Sequence, residues 1–436
     1  MSGVRLDIRL KDAPSVGRHC FWKSGRPPPT LHPFFPVMDF ELPDDIIALQ
    51  TEMRTLAVGS LAGSAIDRDR DAAFWSDGWH ASAAAGVLRL PVGVDDGGRG
   101  LGLLATIAAM ETLGRHCDDL GLLFAINAHL WAGVIPIERF GTDAQRSRWL
   151  PGLLDGSIIA GHGATEPDAG SDIFGLRATA RRDGDHWVLD GVKSFVANGP
   201  VADVFVVYAT TDPAKGELGV TAFIVPKDAP GLVVTEPLDK AGLRSAPSGG
   251  LRLEGCRVEA DAILGREGDG AACFHCSMEW ERGAILAMHV GRMERQLHEA
   301  VAFVKRRTQF GRPIGSFQSV ANRIVDMKLR LDTSRPLVRR IGRLKDAGRQ
   351  AMLEAAVAKL HVSEAAVQSS LDAVQVMGSR GYLREGVVER DLRDALGARI
   401  YSGTNEMQRV MIARLLGLPS SLPTRRPDDG GSGAGA

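Results

Sequence analysis

The sequence predicts an α+β protein in which two helical regions flank a central β-domain, because the spacing of apolar residues changes twice along the chain. Helical spacing extends over residues 42–156 and 270–416, whereas short runs of β-branched and aromatic residues occupy 161–268. A chain of 436 residues has room for two or three domains with a large buried core. We therefore predict an N-terminal helical domain over 38–160, a β-domain over 161–268 and a C-terminal helical domain over 269–418.

A glycine-rich turn between Pro91 and Gly102 interrupts the N-terminal helical pattern. It contains Gly100-Leu-Gly-Leu-Leu-Ala105, which matches a dinucleotide-binding fingerprint letter for letter. That fingerprint binds phosphate only when a strand precedes it within a βαβ unit, and neither pattern surrounds this copy. We therefore predict a loop that closes onto a helix.

The β-domain is predicted from apolar runs separated by turn dipeptides such as Asp183-Gly184, an arrangement typical of an antiparallel sheet. The four runs are Trp187–Leu189, Asp203–Tyr208, Val220–Val225 and Leu232–Thr235. Beyond residue 270, apolar residues recur at spacings of three to five, which predicts a helix with one buried face. The members of that face are Ile285, Met288, Met293, Leu297, Val301 and Val304.

The two ends of the chain differ from the rest. Prolines in Gly25-Arg-Pro-Pro-Pro-Thr30 and His32-Pro-Phe-Phe-Pro36 break helices and strands. We therefore expect residues 1–37 to be a disordered extension or a misassigned start. Residues 419–436 end in glycine, serine and alanine, as expected of a flexible tail.

Charge and cysteine content argue against several classes of function. The 52 basic and 53 acidic residues give a net charge of −1, so we expect no nucleic-acid partner and no binding to an anionic membrane. We identify no apolar run of the ~18 residues that a membrane span needs. Five scattered cysteines form no disulfide pattern, which indicates a cytoplasmic location. Cys273-Phe-His-Cys276 has zinc-motif spacing but lacks a second ligand pair, so we predict no metal site.

The most informative stretch is Gly161-His-Gly-Ala-Thr-Glu-Pro-Asp-Ala-Gly-Ser-Asp172. Its small residues would let the backbone approach a flat, anionic cofactor whose phosphates N–H groups and hydroxyls could bind. Together with Lys193–Asn198, Arg307–Pro313 and Phe317-Gln318, this run resembles the signature of the acyl-CoA dehydrogenases, flavoenzymes that oxidise acyl thioesters. The resemblance covers residues 38–418. It implies the fold of that family, with an N-terminal helical domain, a central antiparallel β-domain and a C-terminal four-helix bundle.

The resemblance also implies that FAD binds along several blocks of the sequence. In that family the peptide corresponding to His162–Ser171 passes along the flavin, an aromatic at the position of Phe195 faces the ring, and Arg307 of a neighbouring subunit reaches the pyrophosphate. An arginine fork suits this role because it can bond two phosphate oxygens at once. The cofactor positions implied are His162, Ala164, Thr165, Gly170, Ser171, Phe195, Val196, Ala197, Arg307, Gln309, Phe310, Gln318, Gln375, Gly378, Thr404 and Glu406.

Ala197 departs from the family pattern, in which a Thr or Ser usually bonds the reactive ring nitrogen. Only a backbone N–H can serve at this position in this chain. A FAD site shared between subunits through Arg307, Phe310 and Gln318 implies a homo-oligomer, expected to be a tetramer. The resemblance implies electron-transfer flavoprotein or oxygen as the electron acceptor.

Dehydrogenation of a thioester requires a carboxylate base, hydrogen bonds to the enolate-like oxygen and a hydride acceptor. Many family members carry the base in a Tyr-Glu-Gly-Thr motif, where this chain has Tyr401-Ser-Gly-Thr404. In the isovaleryl-CoA and long-chain branches, the base instead precedes an arginine that borders the thioester pocket. That position is Glu281, before Arg282. Glu279 is the alternative, and because residues two apart on a helix point to different faces, only one can enter the pocket.

The substrate contacts that the resemblance implies are Ser171, Glu279, Arg282, Ser402 and Gly403, with Glu279 beside the pantetheine arm. The backbone N–H of Ser402 is expected to bond the thioester oxygen, so its side chain is expected to be dispensable. Beside a flavin and an acyl chain, Glu281 would be desolvated, which should raise its pKa as suits a base.

Further stretches resemble the L-prolyl-carrier-protein dehydrogenases, which form pyrrole thioesters in natural-product pathways; they lie within Lys193–Phe205, Trp280–Arg282, Met293–Leu297 and Ser402–Gln408. The implied substrate is a prolyl or similar aminoacyl thioester on a phosphopantetheine carrier protein. A short branched acyl-CoA is the alternative, because one methylene changes pocket affinity by only ~1–3 kcal/mol. A flavin monooxygenase would be expected to lose the Glu281-Arg282 pair, and a non-catalytic scaffold has no use for the pyrophosphate block.

Overall fold

The helices of the N-terminal region follow one another through short loops, as the apolar spacing predicts. The computed structural model describes residues 41–419, so the expectations for residues 1–37 and for the tail from 420 onward concern residues outside that range. The helices of this region are α1 (Asp44–Val58), α2 (Ile66–Asp71), α3 (Ser76–Ala84), α4 (Gly102–His116), α5 (Leu120–His129), α6 (Ile135–Phe140) and α7 (Asp143–Asp155). Gly100 lies in the loop that leads into α4, and the helix begins at Gly102 within the fingerprint-like sequence, which confirms the predicted loop that closes onto a helix.

Helix α7 begins at a capping box. The Thr142 hydroxyl accepts the N–H of Gln145, and the Gln145 side chain accepts the N–H of Thr142. These two bonds satisfy backbone donors that the first helical turn otherwise leaves unpaired. The amide of Gln145 also donates to the carbonyls of Asp261 and Ile263 at 2.7 and 2.8 Å, which joins the helical region to the β-domain.

A π-helical turn, Leu130–Val134, joins α5 to α6, so Leu120–Phe140 is a continuous apolar helical segment of 21 residues with a mean hydropathy of 1.7. The expectation of no run long enough to cross a bilayer is therefore wrong. The expectation failed because Asn127 and His129 interrupt the apolar letters. Both are satisfied internally: Asn127 accepts from the Trp131 indole at 2.8 Å, and His129 bonds Ala160 N–H and the Leu153 carbonyl. With 94% of its apolar window buried, this segment is a core helix of the fold.

The central region forms one eight-stranded sheet with the order β6-β7-β3-β2-β4-β5-β8, and β1 pairs with β4. The strands are β1 (Ala160–Gly163), β2 (Thr179–Asp183), β3 (His186–Ala197), β4 (Val204–Thr210), β5 (Val220–Pro226), β6 (Leu232–Val234), β7 (Ser248–Glu259) and β8 (Ile263–Leu264). The predicted antiparallel sheet is in fact mixed, because β1 and β2 both meet β4 in parallel. Short hairpins impose antiparallel pairing, but residues 164–178 separate β1 from β2 and leave its direction free.

The four predicted strands lie in β3, β4, β5 and β6, whereas the twelve-residue β7 was missed. Glycine and charged residues alternate with its apolar residues, so β7 carries no continuous apolar run; Leu251, Leu253 and Val258 are nevertheless buried. Its partner β3 shows register shifts between Leu189 and Gly191 and between Lys193 and Val196. Such bulges redirect side chains, and the second one contains Phe195.

The C-terminal region returns to helices. They are α8 (Gly270–Ala284), α9 (Ala287–Arg306), α10 (Gln318–Asp346), α11 (Met352–Met377), α12 (Val387–Gly397) and α13 (Asn405–Leu415), and a short hairpin of β9 (Thr308–Gln309) and β10 (Arg312–Pro313) precedes α10. Helices α9, α10 and α11 pack against one another, and α12 and α13 pack on α11. Helix α4 also packs closely on α9, where a Cβ at Gly291 would lie 1.9 Å from the Glu111 carbonyl. The predicted helix–sheet–helix order is therefore confirmed.

The predicted apolar face beyond residue 270 is buried in five of its six members, with Val301 partly buried. It does not lie on a single helix, because α8 ends at Ala284 and α9 begins at Ala287. The break places Glu281 and Arg282 in the last turn of α8, next to the loop that precedes α13.

Candidate active site

Glu281 projects from the last turn of α8 and is only 8% exposed. Its carboxylate Oε1 accepts a short hydrogen bond from the hydroxyl of Ser402. The next residue, Arg282, is equally buried, and its Nε donates to the backbone carbonyl of Ser402 at 3.0 Å. The structure therefore brings Ser402 into direct contact with Glu281 and Arg282, which lie 121 and 120 residues earlier in the sequence.

The loop 401–404 has an unusual backbone conformation. Ser402 has φ +57° and Gly403 has φ +86°, which is the left-handed region that glycine favours. The Gln408 amide donates to the Gly403 carbonyl at 2.9 Å, and the Thr404 hydroxyl caps α13 by accepting the Met407 N–H. These contacts hold the loop whose Ser402 N–H is expected, from the family resemblance, to bond the thioester oxygen.

Burial dominates the electrostatics of Glu281. It raises the pKa of the carboxyl, while the Ser402 hydrogen bond and the charge of Arg282 lower it, and the net direction is upward. Burial also lowers the pKa of Arg282, with the charges of Glu281 and Glu279 opposing that shift. For Tyr208 and Tyr401 the pKa rises well above its ordinary value through burial, with a contribution from Glu281, so neither phenol is charged near neutral pH. This is the expected environment of a base whose pKa is brought nearer to neutrality.

Glu279 lies on another face of α8. One carboxylate oxygen accepts from the Lys345 ammonium at 2.9 Å, and the other accepts from the backbone N–H of Ala351 at 2.7 Å. Both oxygens are thus committed to α10 and to the start of α11. Of the two glutamates considered for the base, the structure places only Glu281 beside Ser402.

The first two cofactor blocks lie side by side. The Ser194 N–H donates to the Thr165 carbonyl at 2.8 Å, which joins the loop after β1 to the bulge of β3. Phe195 in that bulge has φ +55° and is 71% exposed, an unusual exposure for an aromatic ring on a central strand. The remaining predicted members of these blocks are His162 on β1, Ala164 beside it, and Val196 and Ala197 at the end of β3, with Gly170 and Ser171 exposed farther along the loop.

His162 packs edge-on to Tyr208 and stacks on Phe274, and burial lowers its pKa to about 4, so it is neutral. Its buried Nε2 has no hydrogen-bond partner within residues 41–419. A buried polar atom without a partner calls for an explanation, and a cofactor with polar ring atoms supplies one. The exposed Phe195 ring, the small residues of the loop and this nitrogen all fit a flat cofactor such as FAD.

A buried ion pair that the sequence patterns did not single out supports this loop. The Lys193 ammonium, fully buried, donates to Glu166 Oε1 at 2.7 Å and to the Ala164 carbonyl at 3.4 Å. The Glu166 carboxylate also accepts the backbone N–H groups of Arg177 and Ala178. Both residues belong to the quoted motifs, so the signal was present, but their pairing depends on the fold.

The remaining predicted cofactor residues lie elsewhere; Thr404 is partly buried and the others are exposed. Arg307, Gln309 and Phe310 belong to the hairpin region and Gln318 begins α10, with the Phe310 ring 92% exposed. Across the described part of the chain, no hydrogen bond or ring contact joins them to Phe195 or to the loop after β1. Gln375 and Gly378 lie at the end of α11, and Thr404 and Glu406 lie at the start of α13.

The Cys273–Cys276 motif belongs to α8. Cys273 is buried and accepts a hydrogen bond from the Tyr208 hydroxyl at 3.6 Å, and burial raises the pKa of its thiol to about 12. Both cysteines are free thiols. Residues 41–419 contain no group of three or more His, Cys, Asp or Glu side chains placed to hold a metal ion.

The side chain of Ser402, expected from the resemblance to be dispensable, lies within the site. The hydroxyl contacts the proposed base directly. Tyr401 and His289 also adjoin the site, with 2.7 Å between the phenol oxygen and His289 Nε2, and burial lowers the pKa of His289 to about 3. Sequence reasoning missed His289 because a lone histidine on a helix carries no motif.

Comparison with known proteins matches three domains of one family. The acyl-CoA dehydrogenase N-terminal domain matches residues 43–157, the middle domain 161–256 and the C-terminal domain 268–417. An L-prolyl-[peptidyl-carrier protein] dehydrogenase from Pseudomonas fluorescens is 45% identical over 341 residues, which is 78% of this chain and 90% of that protein.

Solved structures give the same result. The prolyl acyl carrier protein oxidase AnaB superposes with a TM-score of 0.85 at 45% identity, over 87% of this chain and 100% of that one. The structure described as PigA with FAD and proline has a TM-score of 0.85 at 40% identity, over 87% and 99% of the two chains. The predicted fold class is confirmed by these matches, and the chain belongs to the acyl-CoA dehydrogenase family of flavoprotein oxidoreductases.

Proposed function

We propose that this protein is a FAD-dependent dehydrogenase that oxidises a prolyl thioester carried on the phosphopantetheine arm of a carrier protein. The observation that carries the proposal is the buried carboxylate of Glu281 beside the Ser402–Gly403 loop. Similarity at 44–45% identity to two L-prolyl-[peptidyl-carrier protein] dehydrogenases supports the prolyl substrate. It favours a carrier-protein substrate over the short branched acyl-CoA considered above.

In the proposed reaction, Glu281 takes the α-proton of the thioester while the main-chain N–H of Ser402 bonds the carbonyl oxygen. Arg282 holds this loop through the Ser402 carbonyl. FAD, when bound, accepts the hydride from the β-carbon, a role that no side chain can take. Loss of the α-proton and the β-hydride leaves a double bond in the ring. Two such oxidations convert a proline ring into a pyrrole.

The FAD site would be held by the loop after β1, the bulge of β3 and, from a neighbouring subunit, Arg307, Phe310 and Gln318. Phe310 is 92% exposed although its ring packs edge-on to Phe317, and this exposed apolar surface supports a second copy of the chain as its partner. We propose a homotetramer, with electron-transfer flavoprotein or oxygen as the electron acceptor. Four free thiols within residues 41–419 suit a reducing cytoplasm.

Removing Arg307 should weaken FAD binding while the fold persists. We expect Arg307→Ala to cost about 1.5–3 kcal/mol of FAD affinity, at least tenfold in Kd, because charge-assisted bonds to phosphate are lost. Flavin content after dialysis and sedimentation velocity are the measurements. Arg306→Ala, the exposed neighbour, is the matched control and should retain flavin. A fully flavinated monomer would contradict the shared site.

The substrate assignment can be tested directly. The holoenzyme should be mixed anaerobically with L-prolyl-carrier protein and, separately, with isovaleryl-CoA and butyryl-CoA, following flavin bleaching and the mass of the acyl group. We expect rapid bleaching only with the carrier protein, and in air the loss of four hydrogens from the prolyl group. Rapid bleaching by a free acyl-CoA, with no mass change on the carrier protein, would favour the alternative substrate.

A further inference from the structure

Within the described residues, only one of the two carboxylate oxygens of Glu281 accepts a hydrogen bond. Ser402 Oγ donates to Oε1, and within residues 41–419 the carboxylate accepts no other hydrogen bond. The second oxygen, Oε2, is therefore free to meet a substrate. A deeply buried carboxylate is usually satisfied at both oxygens, as Glu166 is in this structure, and even the partly buried Glu279 is bonded at both.

The donor is fixed in position although a serine hydroxyl can rotate. Ser402 has a left-handed backbone, its carbonyl is held by Arg282 at 3.0 Å, and Gln408 holds the next carbonyl at 2.9 Å. Arg282 is adjacent to Glu281 on α8. Two hydrogen bonds therefore join the end of α8 to the loop 401–404: Ser402 donates to Glu281, and Arg282 donates to Ser402.

We propose that Ser402 is a positioning residue for the base: its hydroxyl holds Oε1 of Glu281, so that Oε2 is the oxygen that takes the α-proton. The inference rests on the proposed function and adds a role for a side chain that the main-chain contact does not need. In the step, the α-proton moves to Oε2, the electrons of the C–H bond form the α,β double bond, and the β-hydride leaves to FAD. The proton is later released to water.

The same hydrogen bond has an electrostatic consequence. A hydroxyl that donates to a carboxylate stabilises its charged form, so Ser402 opposes the effect of burial and lowers the pKa of Glu281. Without the hydroxyl, the carboxyl should stay protonated up to a higher pH. Since only the carboxylate can take the proton, activity should be lost at a higher pH as the solution is acidified.

The other titratable groups near Glu281 are the same in the wild type and in a Ser402 variant. Arg282 stays charged, and Tyr208 on β4 and Tyr401 stay neutral. Burial lowers the pKa of Lys359 on α11 to about 7 and of His289 on α9 to about 3. The groups that interact with the other residues of α8 are Glu138 and Arg139 on α6, Glu217, Asp269 just before α8, and Lys345 on α10. A difference between wild type and variant therefore reports on the hydroxyl.

The experiment compares the rate of flavin reduction against pH for wild type, Ser402→Ala and Ser402→Gly. Glycine suits the left-handed backbone, so agreement between the two variants separates loss of the hydroxyl from backbone strain. We expect the acid limb of both profiles to move up by about one pH unit, which is about tenfold in rate on the acid side. A second readout that needs no turnover is the protonated-carboxyl infrared band of the substrate-free holoenzyme, assigned by its absence in Glu281→Gln.

The outcomes separate the two claims. A shift of both the rate profile and the infrared titration supports Ser402 as a positioning residue. Profiles that overlay the wild type at every pH, with Glu281→Gln inactive, overturn the Ser402 inference and leave the proposed function standing. Wild-type flavin reduction by Glu281→Gln overturns both, because Glu281 is then not the base.

Discussion

Glu281→Gln is expected to abolish reduction of the flavin by the thioester while FAD content and thermal stability stay close to wild type. The amide keeps the shape of the side chain but cannot accept the α-proton. Loss of a positioned general base typically costs ~10² to 10⁴ in rate. Stopped-flow absorbance of the flavin under anaerobic conditions measures this step apart from reoxidation.

Glu279→Gln is the matched comparison, since the two glutamates are two residues apart on α8. The Glu279 carboxylate bonds Lys345 and the Ala351 N–H, so its change should lower the melting temperature. Its effect on flavin reduction should be much smaller than that of Glu281→Gln. The reverse order of the two rates would make Glu279 the base and contradict the assignment.

The second large effect is expected at the buried Lys193–Glu166 pair. Lys193→Met should lower the free energy of unfolding by about 3–5 kcal/mol, because it leaves the Glu166 charge buried without its cation. The loop after β1 should loosen as well, so flavin content should fall. Urea unfolding followed by circular dichroism and by flavin fluorescence measures both effects.

The double variant Lys193→Met with Glu166→Gln tests the pairing. With both charges gone, part of the loss should be recovered, and the deviation from additivity reports the interaction. Burial raises the pKa of Glu166, but Lys193 and the backbone N–H groups of Arg177 and Ala178 lower it by more, and the net direction is downward. The resulting stabilisation is present above the unfolded pKa of a glutamate and is lost as pH falls through the folded pKa. Additive effects of the two changes would contradict a direct interaction.

The sequence by itself determined the order of helical and β regions and the blocks that resemble a flavin site. These features depend on residues that are close together in the sequence. The spacing of apolar residues determines the type of each element, and small residues mark where a backbone can approach a cofactor. The apolar runs also located the strands from β3 to β6. A serine at position 402 cannot act as a base, and the family resemblance then implies Glu281, with Glu279 as the alternative.

Only the tertiary structure determined which of these residues contact one another and how the elements pack. In the folded chain, the Glu279 carboxylate accepts hydrogen bonds from Lys345 and from the Ala351 N–H. The Ser402 hydroxyl donates to Glu281, which is 121 residues away in the sequence. The tertiary structure also turned β1 parallel to β4 and buried an apolar helix long enough for a membrane. Such outcomes depend on which residues meet after the chain packs. The distance between two contacting residues and the burial of a side chain depend on how the core packs, so neither can be predicted from the local sequence.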